Sequence, residues 1–280
     1  MTTTMQMLRA GITDGSIIPF IGPNALQGVS DSQSGEKMPT SSDELIFAVN
    51  NGKPMSPRLM YEFPRAAMDI ELKRGRKALH NALHAIYARQ SWSIAPLHQW
   101  LATITPPYLV DINRDTQLQL LYAAKPHTLI RGVARLGGSD YRFRIHHYDG
   151  NHYSDHEIAQ EEVDPTLPIL FKPMGSPLPT PTYIASDADY VDYLTELMGG
   201  FAIPDFVKTI RQGKQYLLLG LPLNRDTERM VLSDFIYSAA TPAGWALIPQ
   251  PSPKEERFCA KLNIEIITTE IAELLPETSA

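Results

Sequence analysis

Six short apolar runs punctuate the chain, at 17–21, 108–112, 168–172, 216–220, 245–249 and 264–268. Each is continuous rather than alternating, the pattern of strands covered on both faces in a parallel sheet. Between most of them, apolar residues recur at helical spacing. Residues 187–198 place Tyr190, Val191, Leu194 and Leu197 on one face, and 227–240 carry Met230, Val231 and Phe235 in the same rhythm. This strand–helix alternation predicts an α/β fold, an open, Rossmann-like three-layer parallel sheet.

Two stretches break the alternation. Residues 40–103 show helical spacing at 66–72 and 77–89 but no strand, which predicts a helical subdomain inserted into a core formed by 1–39 and 104–280. Residues 126–166 are polar, and 141–146 alternate as a solvent-facing strand would, so a polar β-hairpin or extended insert is expected there. Tyr148-Asp149-Gly150-Asn151 reads as its turn. The Ser- and Gly-rich residues 30–42 read as a mobile loop. The 23 prolines cluster at 106–107, 173–181 and 249–253, as rigid loops beside core elements.

Composition narrows the classes. Hydrophobic content of 43% and charged content of 20% in 280 residues suit a globule with a sizeable core. A net charge of -6 argues against nucleic acid as a partner, because phosphate contacts need clustered Lys and Arg. Cys259 is the single cysteine, which excludes an internal disulfide or a Cys-based zinc ribbon and fits a reducing cytoplasm. The first residues have neither a basic nor an apolar signal region. No uncharged apolar run approaches the ~18 residues of a membrane span. A cytoplasmic protein is the expectation.

Candidate chemistry begins where the first apolar run stops at Gly22-Pro23-Asn24. A strand ending in glycine before a helix is one way to hold a phosphate at a helix N-terminus. His146, His152 and His156 lie close in sequence beside Asp149, Asp155 and Glu157 and form a candidate metal set. The expected hairpin turn would scatter them. No Gly-x-Ser-x-Gly, kinase or P-loop signature is present.

Five segments, in order, resemble the SIR2-like family, specifically its bacterial branch without a zinc ribbon. Pro19-Phe20-Ile21-Gly22-Pro23-Asn24 stands for Phe-Ile/Leu-Gly-Ala-Gly-x-Ser. Pro96-Leu97-His98-Gln99-Trp100-Leu101 resembles its Leu-His-x-x-Leu helix. Tyr108 to Asp115 resembles the strand ending Thr-x-Asn-x-Asp. Leu170-Phe171-Lys172-Pro173-Met174-Gly175-Ser176 lies where Lys-x-His-Gly-Ser is expected. Leu217 to Leu223, with Asp226 following, resembles Leu-Phe-Leu-Gly-x-Ser-x-x-Asp.

The resemblance implies a pocket for NAD or ADP-ribose lined from Gly22, Asn24, Asn113, Asp115, Gly175, Gly220 and Asp226. In the family the Asn positions the nicotinamide ribose or water, and the His of His-Gly is the general base for breaking the nicotinamide–ribose bond. This chain departs at the chemical positions. Asn24 and Leu26 replace the second glycine and the serine of the phosphate turn. Asp111 replaces the Thr, with Arg114 placed to offset its charge. Met174 replaces the histidine, and Pro222 the serine after Gly220. Asn113 has a structural alternative as the cap of a helix starting near Arg114.

The expected function is therefore a catalytically impaired SIR2-like accessory protein, a pseudoenzyme that binds a partner protein or complex, with Tyr141, Phe143, Tyr148 and Tyr153 as aromatic anchors. The alternatives are a defence-type NAD-consuming hydrolase with its base relocated to His98 or Asp111, and a non-hydrolysing NAD or ADP-ribose sensor.

Overall fold

A computed structural model describes residues 3–136 and 141–276. Its strands and helices run, in chain order, α1 (Thr3–Asp14), β1 (Ile17–Ile21), α2 (Ser42–Val49), α3 (Phe63–Arg74), α4 (Arg76–Tyr87), α5 (Pro96–Ile104), β2 (Tyr108–Asp111), α6 (Gln117–Leu121), β3 (His127–Gly132), β4 (Phe143–Tyr148), β5 (Ile169–Lys172), β6 (Gly175–Ser176), β7 (Thr182–Tyr183), α7 (Asp187–Met198), α8 (Asp205–Ile210), β8 (Gln215–Leu219), α9 (Asp226–Phe235), β9 (Gly244–Leu247), α10 (Pro253–Lys261) and β10 (Ile264–Ile267).

Eight strands form one sheet in the order β10-β9-β8-β1-β2-β5-β3-β4. Every pairing is parallel except β3 with β4. All six apolar runs became strands of this sheet. Successive side chains on a strand point to opposite faces, and β1 shows the consequence. Ile18 and Phe20 join Val110, Phe171 and Leu218 in a core closed by Leu194 of α7, Val207 of α8 and Leu232 and Phe235 of α9. Ile17 and Ile21 join Leu109, Leu170 and Leu217 in a second core closed by Leu8 and Ile12 of α1, Trp100 and Leu101 of α5 and Leu118 of α6. The result is the expected mixed α/β, Rossmann-like three-layer arrangement.

A third core lies in the helices between β1 and β2. Leu45 and Ile46 of α2, Phe63 and Ile70 of α3 and Leu79 and Leu83 of α4 pack together, joined by Leu26 and Tyr183. α5, within the same 40–103 stretch, packs on the sheet instead, because Leu97, Trp100 and Leu101 face it.

The polar region 126–166 differs from its sequence pattern. β3 sits inside the sheet between β5 and β4, and all six of its residues are buried despite His127, Thr128 and Arg131. His127 and Arg131 find partners inside the protein, while the Thr128 hydroxyl and Arg131 Nε are buried without one among the described residues. His127 bonds the Lys125 carbonyl and the Tyr153 hydroxyl, and Arg131 bonds His146 and the Thr180 carbonyl. β4 is an antiparallel edge strand, and Phe143, Ile145 and Tyr148 are buried on it rather than solvent-facing. Of the four expected anchors, Phe143 and Tyr148 are core residues, Tyr153 is half-buried, and Tyr141 is exposed.

Residues 30–42 are not a loose loop. Ser30 bridges Lys37, and Asp31 is buried, its carboxylate accepting from the Ser91 hydroxyl and the Gln33 and Ser34 amides. Those bonds, led by Ser91, hold the Asp31 carboxyl well below its usual range. No helix among the described residues is long and apolar enough to cross a membrane.

Candidate functional site

On one side of β1 lie β2, β5, β3 and β4, and after these the chain crosses to lay β8 on the other side of β1. Open α/β sheets bind ligands in the crevice beyond the strand ends at such a switch point. A cavity open to solvent lies there. Its walls are Pro23, Asn24 and Leu26 after β1, Ile112, Asn113 and Arg114 after β2, Met174 after β5, and Pro222, Asn224 and Arg225 after β8. α2 to α4 roof it with residues 39–43, Glu62, Phe63 and Tyr87, and α7 and α9 contribute Tyr190, Thr227, Glu228 and Val231.

The roof is locked by local bonds. At the start of α2 the Ser41 hydroxyl accepts from the Glu44 amide at 3.2 Å, and the Glu44 carboxylate accepts from the Thr40 and Ser41 amides. This capping box fixes the Thr40–Ser41 backbone at the cavity edge. One residue on, the Ser42 hydroxyl accepts from the Phe63 amide at 2.6 Å, tying the start of α3 to the start of α2.

The sequence-predicted residues divide into two groups. Asn24 and Asn113 line the cavity. Asn113 is 6% exposed, its Nδ2 donates to the Gly22 carbonyl at 3.1 Å, and its amide donates to Asp111 Oδ1. It caps no helix, since α6 starts only at Gln117. Gly22, Gly175 and Gly220 form no part of the cavity wall. The space beside Gly22 is taken by the chain itself: a Cβ there would lie 2.6 Å from the Gly220 carbonyl oxygen. Gly220 (φ +73°) and Gly175 (φ +83°) hold left-handed turns packed against the backbone at Ala25 and Thr182.

Asp115 is buried outside the wall, with Oδ1 accepting from the Gln117 amide. Asp226 is exposed at the start of α9 and pairs with Arg229. His98 is fully buried, 3.2 Å from Gln117 Oε1, and does not reach the cavity. Asp111 faces Lys172 rather than Arg114, whose guanidinium turns instead to the Ile184 carbonyl. The histidines of the candidate metal set are dispersed. His146 is buried on Arg131, while His152 is exposed beside Asp149 and His156 is exposed. Among the described residues no three His, Cys, Asp or Glu side chains converge as a metal site would require.

Met174, at the end of β5, is 3% exposed; it touches the cavity and joins the hydrophobic core behind it. A thioether there offers neither a proton acceptor nor a strong hydrogen bond. No histidine among the described residues lines the cavity.

Sequence reading missed Glu228. It is half-buried in the cavity wall with Oε2 accepting from the Thr227 hydroxyl at 3.0 Å. Burial raises its carboxyl above the ordinary 4.5, and the neighbouring Glu62 carboxylate adds to the rise. Its own amide, Thr227 and Arg114 pull the other way. The only sequence signal was an acidic residue in the first turn of a helix, which is commonplace.

No curated protein matches the chain. The SIR2-like domain family matches residues 128–267, half of the chain and the part that runs from β3 to β10. Asn24 and Asn113 precede that match, and the sheet brings them to the cavity beside Met174 and Glu228 within it. With the switch-point cavity and the matched half in one sheet, the chain belongs to the SIR2-like domain family.

Proposed function

We propose that this chain is a SIR2-like accessory protein that holds a nucleotide of the NAD or ADP-ribose class without histidine-dependent cleavage, and that passes the bound state to a partner protein or complex. The observation that carries the reading is the pairing of an open switch-point cavity, still lined by Asn24 and Asn113, with buried Met174 at the end of β5. Both sequence candidates for a relocated base lie outside the cavity wall, His98 in the core and Asp111 in an ion pair.

The lining suits such a ligand. Asn24, Asn113, Ser41 and Ser42 supply neutral polar groups, Arg114 and Arg225 supply cations for phosphates, and Glu62 and Glu228 supply acceptors for ribose hydroxyls. NAD, when bound, supplies a glycosidic bond to a cationic leaving group. Losing the general base that assists its cleavage costs a factor of about 10² to 10⁴.

One observation favours a second reading, an NAD-consuming hydrolase. Glu228 lines the cavity with a raised pKa, a property shared by many carboxylic acid–base catalysts. Calorimetric titration with NAD and ADP-ribose, followed by a nicotinamide-release assay on the same sample, separates the readings. Binding without release supports the accessory protein. Release abolished by Glu228→Gln or Asn113→Ala replaces it with the hydrolase, and absence of any binding removes the nucleotide from both.

A further inference from the structure

Two guanidinium groups line the cavity. Arg114 is 8% exposed, and Arg225 is half-buried with its Cζ 4.7 Å from the centre of the Tyr61 ring. The groups that hold Arg114 are neutral. Its Nε donates to the Ile184 carbonyl at 3.1 Å and Nη2 to the same oxygen at 2.5 Å. Nη2 also reaches the Tyr190 hydroxyl at 3.3 Å, and the Phe63 ring lies 5.6 Å from Cζ. None of the ion pairs among the described residues includes Arg114 or Arg225.

This is an uncommon position for a buried charge. A guanidinium taken out of water loses hydration that carbonyl and phenol groups restore only in part, and an anion in contact recovers more. Elsewhere the chain supplies that anion itself: buried Lys172 has Asp111, and Arg142 has Asp192. At Arg114 the open side is the cavity. Ile184 and Tyr190 fix the orientation of the guanidinium without neutralising it, which is the arrangement of a preorganised anion receptor. The acidic groups in the same wall are Glu62, Glu228 and, at the exposed rim, Asp43. Glu62 and Glu228 are suited to accept hydrogen bonds from sugar hydroxyls, so one ligand carrying both ribose and phosphate satisfies both sets.

We infer that Arg114 is the specificity-determining residue of this cavity and makes it select a ribose-phosphate ligand lacking a cationic ring, ADP-ribose, over NAD. The inference rests on the nucleotide reading of the cavity. The nicotinamide ring of NAD is positively charged and ADP-ribose has a hydroxyl in its place, so NAD brings one less net negative charge to a buried cation that no carboxylate contacts, Glu228 acting on it only from beyond ion-pair distance. The residue after Asn113 thereby tunes the cavity toward the cleaved nucleotide, in keeping with the loss of the histidine at Met174.

Calorimetric titration of the full chain with ADP-ribose and with NAD, at low and high salt, tests this. The expected result is ADP-ribose binding about tenfold tighter or more, with a preference that shrinks as salt rises. Arg114→Gln, its fold checked by thermal unfolding, is expected to weaken both ligands but ADP-ribose more, so that the preference is lost, and Arg114→Lys to keep part of the preference. Equal affinities in the unaltered protein overturn the assignment whatever the variants do, and leave the nucleotide reading standing. A preference that survives Arg114→Gln overturns it as well. Binding of neither ligand refutes the nucleotide reading itself.

Discussion

Lys172 Nζ lies 2.5 Å from Asp111 Oδ2, and neither side chain has any solvent exposure. The pair joins the ends of two adjacent parallel strands, β5 and β2. The other Asp111 oxygen accepts from the Asn113 amide, so one buried ion pair also sets the backbone that carries Asn113 to the cavity. Removing either partner strands the other charge in the core. Lys172→Met or Asp111→Leu is expected to cost about 3–5 kcal/mol in denaturant unfolding, and the double replacement much less than the sum. Additive losses would show that the two charges are not coupled.

The approach of Gly22 to Gly220 predicts where a methyl group is tolerated. A Cβ on Gly22 meets the Gly220 and Leu221 backbone, neither of which can swing aside. Gly28 has φ +85° but nothing within 4 Å. Gly28→Ala is therefore expected to cost about 1 kcal/mol from conformation alone. Gly22→Ala is expected to cost more and to displace the turn that carries Asn24. Thermal unfolding of the two variants decides, and equal losses would refute the close-packing account.

Two buried histidines predict acid sensitivity. Burial pushes His127 and His146 down to about 4, and for His146 the Arg131 guanidinium adds to it. The unfolded chain takes up protons on them near 6.5 while the folded protein resists, so stability is expected to fall as pH drops from 6.5 toward 4. The loss is up to about 3 kcal/mol for each group. Urea unfolding across that range checks it, and His146→Gln is expected to flatten part of the slope.

Glu228 works in the opposite sense. Its folded pKa is raised, so the folded protein binds the proton more tightly than the unfolded chain does. That contribution is fully present below 4.5 and is lost as pH rises through the folded value. Glu228→Gln is expected to gain stability relative to the unaltered protein as pH rises from 4.5 to 7. Identical pH slopes for the two proteins would mean that the Glu228 carboxyl is as well solvated folded as unfolded.

The local pattern was sufficient for six of the eight strands and for the helices read at 66–72, 77–89, 187–198 and 227–240. Strands such as 17–21 and 216–220 must bury both faces, and continuous runs of Ile, Leu and Phe encode that without reference to neighbours. The helix read at 187–198 formed within the same limits because its apolar spacing and its Ser186 start are both local. β3 was hidden because His127 and Arg131 look solvent-facing until Tyr153, His146 and Thr180 are seen to bond them. Those partners lie up to about fifty residues away in the chain, beyond the reach of any periodicity.

The α/β class and the SIR2-like likeness are legible in the chain alone, since both are matters of residue type along it. Tertiary structure alone decided which residues meet. It placed Asn24 and Asn113 in the cavity wall, withdrew His98, Asp115 and Asp226 from it, and brought Glu228 and Arg114 there from different strands and helices. The physical reason is that burial and charge pairing depend on distance in space. Whether a carboxylate finds its lysine, as Asp111 does, or a guanidinium is left facing a cavity, as Arg114 is, is fixed only when the sheet closes and the helices pack over it.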